Sequence, residues 1–454
     1  ESLIERLSRL DPLTGLLNRD AFEHQVERAV LQPHRRLTGL AVLHIGLDRF
    51  DLVGEQIGLA ATEPLLVQLA QRLIGIVRRT DAVGRLERDE FAILQVMPGG
   101  AIDPAALAER ILEEICTRFT VNDQSVKLTL NIGVAIHPTD GSTARELMRN
   151  AALASAQARR DGRNGWRSFE SGMEQRLRER QILRRDLRVA LTKNQFTLNY
   201  QPIVDAMTFE IAGYEALLRW DHPERGRIPP ADFIPVAEES GLIVAIGTWV
   251  LATACAEAVS WERPATIAVN LSPVQFNDPG LVATVAEVLH RTGLPAARLE
   301  LEITETILID DKRKALEVLT ELKRLGVRLA MDDFGTGYSS LSYLRSFPFD
   351  KIKIDRSFIR DVEHDAEAES IVQAIIAMGL SLHLKITAEG VETKQQLAML
   401  RAYGCSYLQG FLLGKPASAS EIEGRGSAVP MAAAFPAGPI ADALGMLAAS
   451  ARPN

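Results

Sequence analysis

The chain has 454 residues, 46% hydrophobic and 24% charged, with a formal net charge of −8. That length exceeds one ordinary core, so two or three globular domains are expected. The acidic balance argues against a nucleic-acid polymer as partner, and it leaves room for a nucleotide only if metal cations screen its phosphates. Cys116, Cys255 and Cys405 are scattered without metal or disulfide spacing and read as small buried residues in a reducing compartment. No apolar run reaches the length of a membrane span and no signal peptide is seen. A cytoplasmic chain, or the cytoplasmic part of a longer membrane-anchored protein, is expected.

Residues 1–10, "ESLIERLSRL", are periodic and charged and predict a linker helix from an upstream region. Residues 11–170 mix helices and strands. "LAVLHIGL" reads as a buried strand, "ATEPLLVQLAQRLIGIV" as an amphipathic helix, "GRLERDEFAILQV" as a hairpin and "SVKLTLNIGVAI" as one further strand. The pattern is an α+β domain around an antiparallel-type sheet. Residues 171–195 predict a connecting helix with Leu183, Leu187 and Leu191 on one stripe; its arginines read as a solvated face.

From residue 196 to 423 short apolar strands alternate with helical stretches. The strands are "FTLNYQPIV", "AGYEALLRW", "ATIAVNLS", "RLELEITET", "VRLAMDDFG", "DKIKIDRSF", "LKITAEGVE" and "CSYLQGFLLG". Eight strands with helical crossovers predict a (β/α)8 barrel whose first strand pairing is irregular. Residues 424–454 are rich in Ala and Pro and predict a flexible tail with one short helix near 439–449. The fold class is α/β: an N-terminal α+β domain joined by a helix to a C-terminal barrel.

A barrel works at the C-terminal ends of its strands. Those ends carry Glu215, Asn270, Glu302, Asp332 and Asp333, Lys353 and Asp355, Glu389 and Glu392, and Gln409. Singly each has a bland reading; Glu215 could cap a helix and Asn270 close a turn. Together they place oxygen donors on one rim, without His or Cys, which favours Mg2+ or Mn2+ over zinc. Two such ions about 3.5–4 Å apart can activate a water and stabilise in-line displacement at phosphorus. Lys353 either orients that water or forms a salt bridge to Asp355 or a neighbouring Asp.

"YEALLRW" resembles the signature of EAL domains, the bacterial cyclic di-GMP phosphodiesterases. The likeness runs over about residues 184–420 through "NLSP", "LEITET", "MDDFGTGYSSL", "KIDRSFI", "AEGVET" and "LQGFLLGKP". It implies Glu215, Asn270, Glu302 and Asp332 as ligands of one divalent ion, and Asp332, Asp333 and Glu389 as ligands of a second. Glu389, Lys353 and Glu215 are the implied catalytic residues, with Glu389 as base and Lys353 holding the water. Gln201, Leu218, Arg219 and Gln409 are the implied substrate contacts. Glu305 would anchor the "DFGTGYSS" loop, with Asp355 and Glu392 as support behind the ligands. The implied reaction is hydrolysis of cyclic di-GMP to linear pGpG, in a homodimer. The alternative is a cyclic di-GMP receptor with negligible turnover.

"DPLTGLLNRDAF", "NIGVAIHPTDG" and "GRNGW" resemble GGDEF domains, the diguanylate cyclases, over about residues 10–170. The likeness is one of scaffold. The signature turn reads Glu87-Arg88-Asp89-Glu90-Phe91, Gly46 stands where a metal-binding Asp is expected, and Gly54 where a guanine-contacting Asn is expected. Loss of cyclase activity is implied, leaving a regulatory or dimerising module that could take GTP or cyclic di-GMP as effector. Arg78 and Asp81 match the spacing of an inhibitory product site; the bland reading is a basic helix end followed by a capping Asp.

Overall fold

The computed structural model describes residues 9–31, 37–98, 103–122, 124–162, 164–305, 307, 311–335 and 346–423. The expected linker helix, the tail with its short helix, and the loop from Thr336 to Ser340 lie essentially outside these residues. The chain divides into two compact units, Glu1–Arg180 and Gln181–Asn454, with the boundary inside the helix Met173–Ala190. Leu183 and Leu187 of that helix are buried in the second unit's core, as their spacing predicts.

The first unit is built on a five-stranded sheet. Its strands are β1 (Leu37–Leu47), β2 (Ala82–Arg85), β3 (Glu90–Pro98), β6 (Leu130–His137) and β7 (Gly165–Ser168), in the order β2-β3-β1-β6-β7. β1 is apolar on both faces. Ala41, Leu43, Ile45 and Leu47 join one core cluster while Leu40 and Val42 join another, the period-2 alternation of a strand covered on both sides. Two expectations need correction. The stretch "SVKLTLNIGVAI" is not one strand: β5 (Gln124–Lys127) pairs with β4 (Arg118–Val121) in a separate hairpin, and the chain leaves that pairing before β6 begins. The sheet is also not wholly antiparallel, because β7 follows the helix Ala144–Arg160 and runs parallel to β6. A helical crossover permits that direction.

The second unit is the barrel. β8 (Phe196–Asp205), β9 (Ile211–His222), β11 (Thr266–Leu271), β12 (Leu299–Thr304), β13 (Arg328–Phe334), β14 (Lys351–Ile354), β15 (Lys385–Ala388) and β16 (Tyr407–Leu408) correspond to the eight predicted strands. Strands β9 and β11 to β16 are parallel to their neighbours, and β8 closes the ring antiparallel to both β9 and β16. The irregularity therefore lies in the first strand, and β10 (Gly226–Ile228) extends β9 as a hairpin. On β12, Leu299, Leu301 and Ile303 pack outward into the core under the helices. Glu300 and Glu302, on the opposite face, are buried too, so they point into the barrel.

The expectation that no segment has the length and composition of a membrane span also needs correction. The helix Leu242–Ser260 is 19 residues long and apolar enough to cross a membrane. Its apolar character has a local cause: Ile243, Ile246, Val250, Leu251, Ala254 and Cys255 are buried in the barrel's outer core. Cys405 is buried as well, whereas Cys116 is only half-buried and donates from Sγ to Asn164 Oδ1 (2.7 Å).

Candidate active site

Seven strands deliver polar groups to one end of the barrel. Glu215 comes from β9, Asn270 from β11, Glu302 from β12, Asp332 and Asp333 from β13, and Lys353 from β14. Glu389 follows β15 directly, and its N–H donates to Ile354 O (3.1 Å). Gln409 follows β16 and donates from its backbone to Ala388 O (2.9 Å). The register carries the alignment: Asn270 pairs with Glu302, and Thr304 with Asp332.

Lys353 is the centre. Its Nζ lies 2.6 Å from Glu389 Oε1, 2.8 Å from Glu302 Oε2, 3.2 Å from Asp332 Oδ1 and 3.9 Å from Glu215 Oε2. The side chain is 1% exposed. Burial opposes its charge, but the four carboxylates outweigh burial and hold its pKa well above the usual lysine value. The salt-bridge reading of Lys353 thus describes what is seen, with Glu302, Glu389 and Asp332 as partners.

The carboxylates divide by environment. Burial raises Glu302 well above the ordinary range, and Glu215, Asp332 and Glu389 add repulsion that Lys353 only partly offsets. Glu389 is pushed up to about 8, chiefly by burial, against the pull of Lys353. Glu215 goes the other way. Burial works against its ionisation, but Lys353 and hydrogen bonds from Gln409 Nε2 (2.6 Å) and Asn270 Nδ2 (2.7 Å) lower its pKa overall.

Asp332 and Asp333 are adjacent, and a regular strand would send them to opposite faces. The β13–β14 ladder pairs Ala330 with Lys351 and Met331 with Ile352, then skips to Phe334 opposite Ile354. Asp333 sits in that irregularity with φ +52°, a left-handed conformation that Asp tolerates better than most residues. Such a bulge re-aims side chains beside functional sites. Burial, then Asp332 and Asp355, raise the Asp333 pKa, so its carboxyl remains in the field of both.

Gln201 and Gln409 lie within the same network. Gln409 Nε2 also donates to Gln201 Oε1 (3.1 Å), and Gln201 Nε2 donates to Gly414 O (3.2 Å). Both glutamines are buried; Gln409 orients Glu215, and Gln201 holds Gln409. Arg219 is half-buried and donates to Leu218 O (2.9 Å), while Leu218 packs against the barrel's core. Glu305 is buried just beyond β12, and the loop it is expected to anchor lies outside the described residues. Asp355 caps the helix Arg356–Arg360 by accepting from Ser357 N (3.0 Å). Glu392 is exposed, and its backbone N–H donates to Gln396 Oε1; the structure does not bring its side chain to the centre. The sequence reading missed Glu300 and Lys351, whose charges repeat with period two in "LELE" and "KIKI".

The donor set is all oxygen, which suits a hard divalent cation. Glu302 Oε1 is buried without a hydrogen-bond partner, and three carboxyls, Glu302, Glu389 and Asp333, are driven toward protonation. Both features fit residues meant to share positive charge beyond Lys353. Among the described residues no three His, Cys, Asp or Glu side chains stand grouped to hold an ion as they are placed, because the carboxylates surround the Lys353 ammonium.

In the first unit the corresponding positions are closed. A Cβ added at Gly46 would meet Arg159 Nη2 at 2.9 Å, so a guanidinium fills the space beside it. In the signature turn Glu87 pairs with Arg19 (2.8 Å), and Arg88 with Asp51 (3.5 Å). Arg85 pairs with Asp11 (3.1 Å). Arg19, Arg85 and Arg88 border a cavity of about 390 Å³, and each already faces a carboxylate. Asp81 accepts from Arg78 N (3.0 Å) and Val96 N (3.2 Å), and Arg78 is exposed, as the capping reading expects.

The family model for the EAL domain matches residues 184–416, the segment that builds this rim. The chain belongs to the EAL domain family. Residues 8–165 match the model for "Diguanylate cyclase, GGDEF domain", so a GGDEF and an EAL domain stand in tandem. An uncharacterised signalling protein of Caulobacter vibrioides is 47% identical over 92% of this chain and 52% of its own length. The bifunctional diguanylate cyclase/cyclic di-GMP phosphodiesterase MucR of Pseudomonas aeruginosa is 42% identical over 92% of this chain and 61% of its own. This EAL tandem thus spans about half to three-fifths of the curated relatives it matches. Its barrel is similar to the PaMucR phosphodiesterase in complex with c-di-GMP, at 47% identity and TM-score 0.52, over 53% of this chain and 99% of that one.

Proposed function

We propose that the EAL barrel hydrolyses cyclic di-GMP to linear pGpG in the presence of two divalent cations, Mg2+ or Mn2+. The observation that carries the reading is the convergence of Glu215, Glu302, Asp332 and Glu389 on Lys353 at the strand ends. Glu215, Asn270, Glu302 and Asp332 would hold one ion, and Asp332, Asp333 and Glu389 the other. Bound there, such a pair would supply an activated water and charge stabilisation at the phosphorus.

The protein's own groups supply the rest. Glu389, pushed toward neutral pH, is suited to take a proton from the attacking water. Lys353 directs its ammonium at that water and at the charge that develops on the phosphoryl oxygens. Gln409 and Asn270 fix the orientation of Glu215. Arg219 offers a planar fork to a guanine edge or phosphate, with Leu218, Gln201 and Gln409 beside it. Glu305 and Asp355 remain supporting positions. The first unit is a catalytically silent regulatory module that takes part in homodimer contacts, at work in the cytoplasm.

Purified chain incubated with cyclic di-GMP and Mn2+ should release pGpG, identified by mass. Folded protein that yields none refutes the reading. A receptor would bind cyclic di-GMP without consuming it, and Glu215→Ala would leave ligand consumption unchanged.

A further inference from the structure

A second ion pair lies one ring deeper in the barrel. Lys351 Nζ is 2.7 Å from Glu300 Oε1, and the two side chains are 7% and 1% exposed. Lys351 and Lys353 are two residues apart on β14, as are Glu300 and Glu302 on β12, so each pair of like residues projects from the same face. The rings are therefore separated by roughly 6.6 Å along the strands. Between β12 and β14 runs β13, whose residue beside Lys351 is Ala330. On its other side Ala330 pairs with Glu302, and Arg328 stands opposite Glu300, so the Lys351–Glu300 contact runs diagonally across that strand. One ring higher, Asp332 occupies the corresponding place between Glu302 and Lys353. The Lys351 ammonium also lies 4.8 Å from the Tyr407 ring centroid on β16. Glu300 Oε2 is buried without a hydrogen-bond partner.

Two lysines and two glutamates in one barrel could pair in more than one way. Were the lower glutamate unpaired, the Lys353 ammonium would have a second carboxylate to follow inward, away from the rim. Were the lower lysine unpaired, it would compete for Glu302. We infer that Lys351 and Glu300 are positioning residues: by neutralising each other they leave the Lys353 ammonium bound to the rim carboxylates. The inference deepens the phosphodiesterase reading and rests on it for its effect on rate.

The test uses the full chain and two readouts. In calorimetric titration, Lys351→Met removes a positive charge beneath the rim and should tighten Mn2+ binding about tenfold. Glu300→Gln removes a negative charge and should weaken it about tenfold. Lys351→Met with Glu300→Leu leaves neither charge and should return within about threefold of the parent. In turnover of cyclic di-GMP, each single change should lower kcat about 100-fold, the scale expected when a catalytic group shifts by about 1 Å. KM should stay within about threefold, and the double change should recover at least about tenfold. Where Lys351→Met does not fold, Lys351→Gln keeps a donor for Glu300 and carries the same expected sign. Mn2+ affinity that falls in both single variants, or kcat that stays at the parent value in both, overturns the inference. A parent that binds Mn2+ without consuming cyclic di-GMP refutes the phosphodiesterase reading alone, and the opposite signs in the Mn2+ titration still decide this one.

Discussion

The barrel rim and the signature turn of the first unit are both crowded with charge, and they settle it differently. At the rim, five carboxylates gather around one ammonium, and burial drives Glu302, Glu389 and Asp333 toward protonation. At the first unit's turn three arginines each face a carboxylate: Arg85 with Asp11, Arg19 with Glu87, Arg88 with Asp51. Glu90 there moves the other way, its pKa lowered by the hydrogen bond to His44 and, more weakly, by Arg159. Unresolved negative charge is a capacity to take up cations, and a site that has neutralised itself has lost it. The same charged residue types thus leave negative charge uncompensated in one unit and pair it off in the other.

The comparison breaks most visibly at Lys353. Lys353→Ala should lower cyclic di-GMP turnover by about 10³-fold or more, since it removes a positioned cation from a water-poor site. Chelation of divalent ions should abolish turnover, with recovery on adding Mn2+. Steady-state rates measured before and after dialysis against EDTA check both. A metal-independent rate would place the chemistry elsewhere.

Stability of the metal-free protein gives the next effect. A glutamate in the unfolded chain titrates near 4.5, whereas Glu389 in the folded chain titrates at about 8. Between those values the native state holds a proton that the unfolded state has released, so stability falls as pH rises from about 4.5 to 8. Glu302 and Asp333 carry the same sign. The raised Lys353 contributes stability that is fully present below 10.5, so it does not alter the slope in this window. Midpoints of thermal unfolding in EDTA across that range should decline, and Mn2+ should flatten the decline. A rising midpoint would mean that the rim carboxylates are not the dominant titrating groups.

Most of the barrel was legible because its strands are apolar runs of the right length, each ending in a charged or polar residue. The eight strands and the rim residues followed from that rhythm. What the rhythm cannot show is a local departure from it. The bulge that re-aims Asp333 depends on pairing with β14, and pairing is absent from a single strand's pattern. The break between β5 and β6 was hidden because Leu128 and Leu130 continue the apolar alternation through it. The Arg159 guanidinium beside Gly46 joins residues 113 positions apart, and only the packing of the helix Ala144–Arg160 on the sheet brings them together. The lower pair of charges was visible in "LELE" and "KIKI", yet period two alone does not say which lysine meets which glutamate.

A smaller effect is expected at Asp81. Its carboxylate accepts from Arg78 N and Val96 N, tying the helix end to β3. Asp81→Ala should cost about 1–2 kcal/mol, the scale of hydrogen bonds to a charged acceptor. Arg78→Ala, which removes an exposed side chain, should leave stability within about 0.5 kcal/mol. Chemical denaturation of the two variants separates them; equal losses would mean that the Arg78 side chain has a structural partner.

The smallest change is the most direct probe of the contrast between the units. Gly46→Asp restores the residue type that the cyclase likeness expects. The atom its Cβ would meet is the tip of a flexible, exposed arginine, so Arg159 can move aside at little cost. The new carboxylate then lies beside a guanidinium and pairs with it, as Arg19, Arg85 and Arg88 pair with nearby carboxylates. Stability should change by less than about 1 kcal/mol, and GTP should still not become cyclic di-GMP, because Glu87 and Arg88 continue to occupy the turn. Combining Gly46→Asp with Arg159→Ala removes the internal cation, and Mn2+ should then raise the unfolding midpoint of this variant more than that of the single one. If Gly46→Asp alone gains metal-dependent cyclase activity, the first unit is a suspended enzyme rather than a neutralised one.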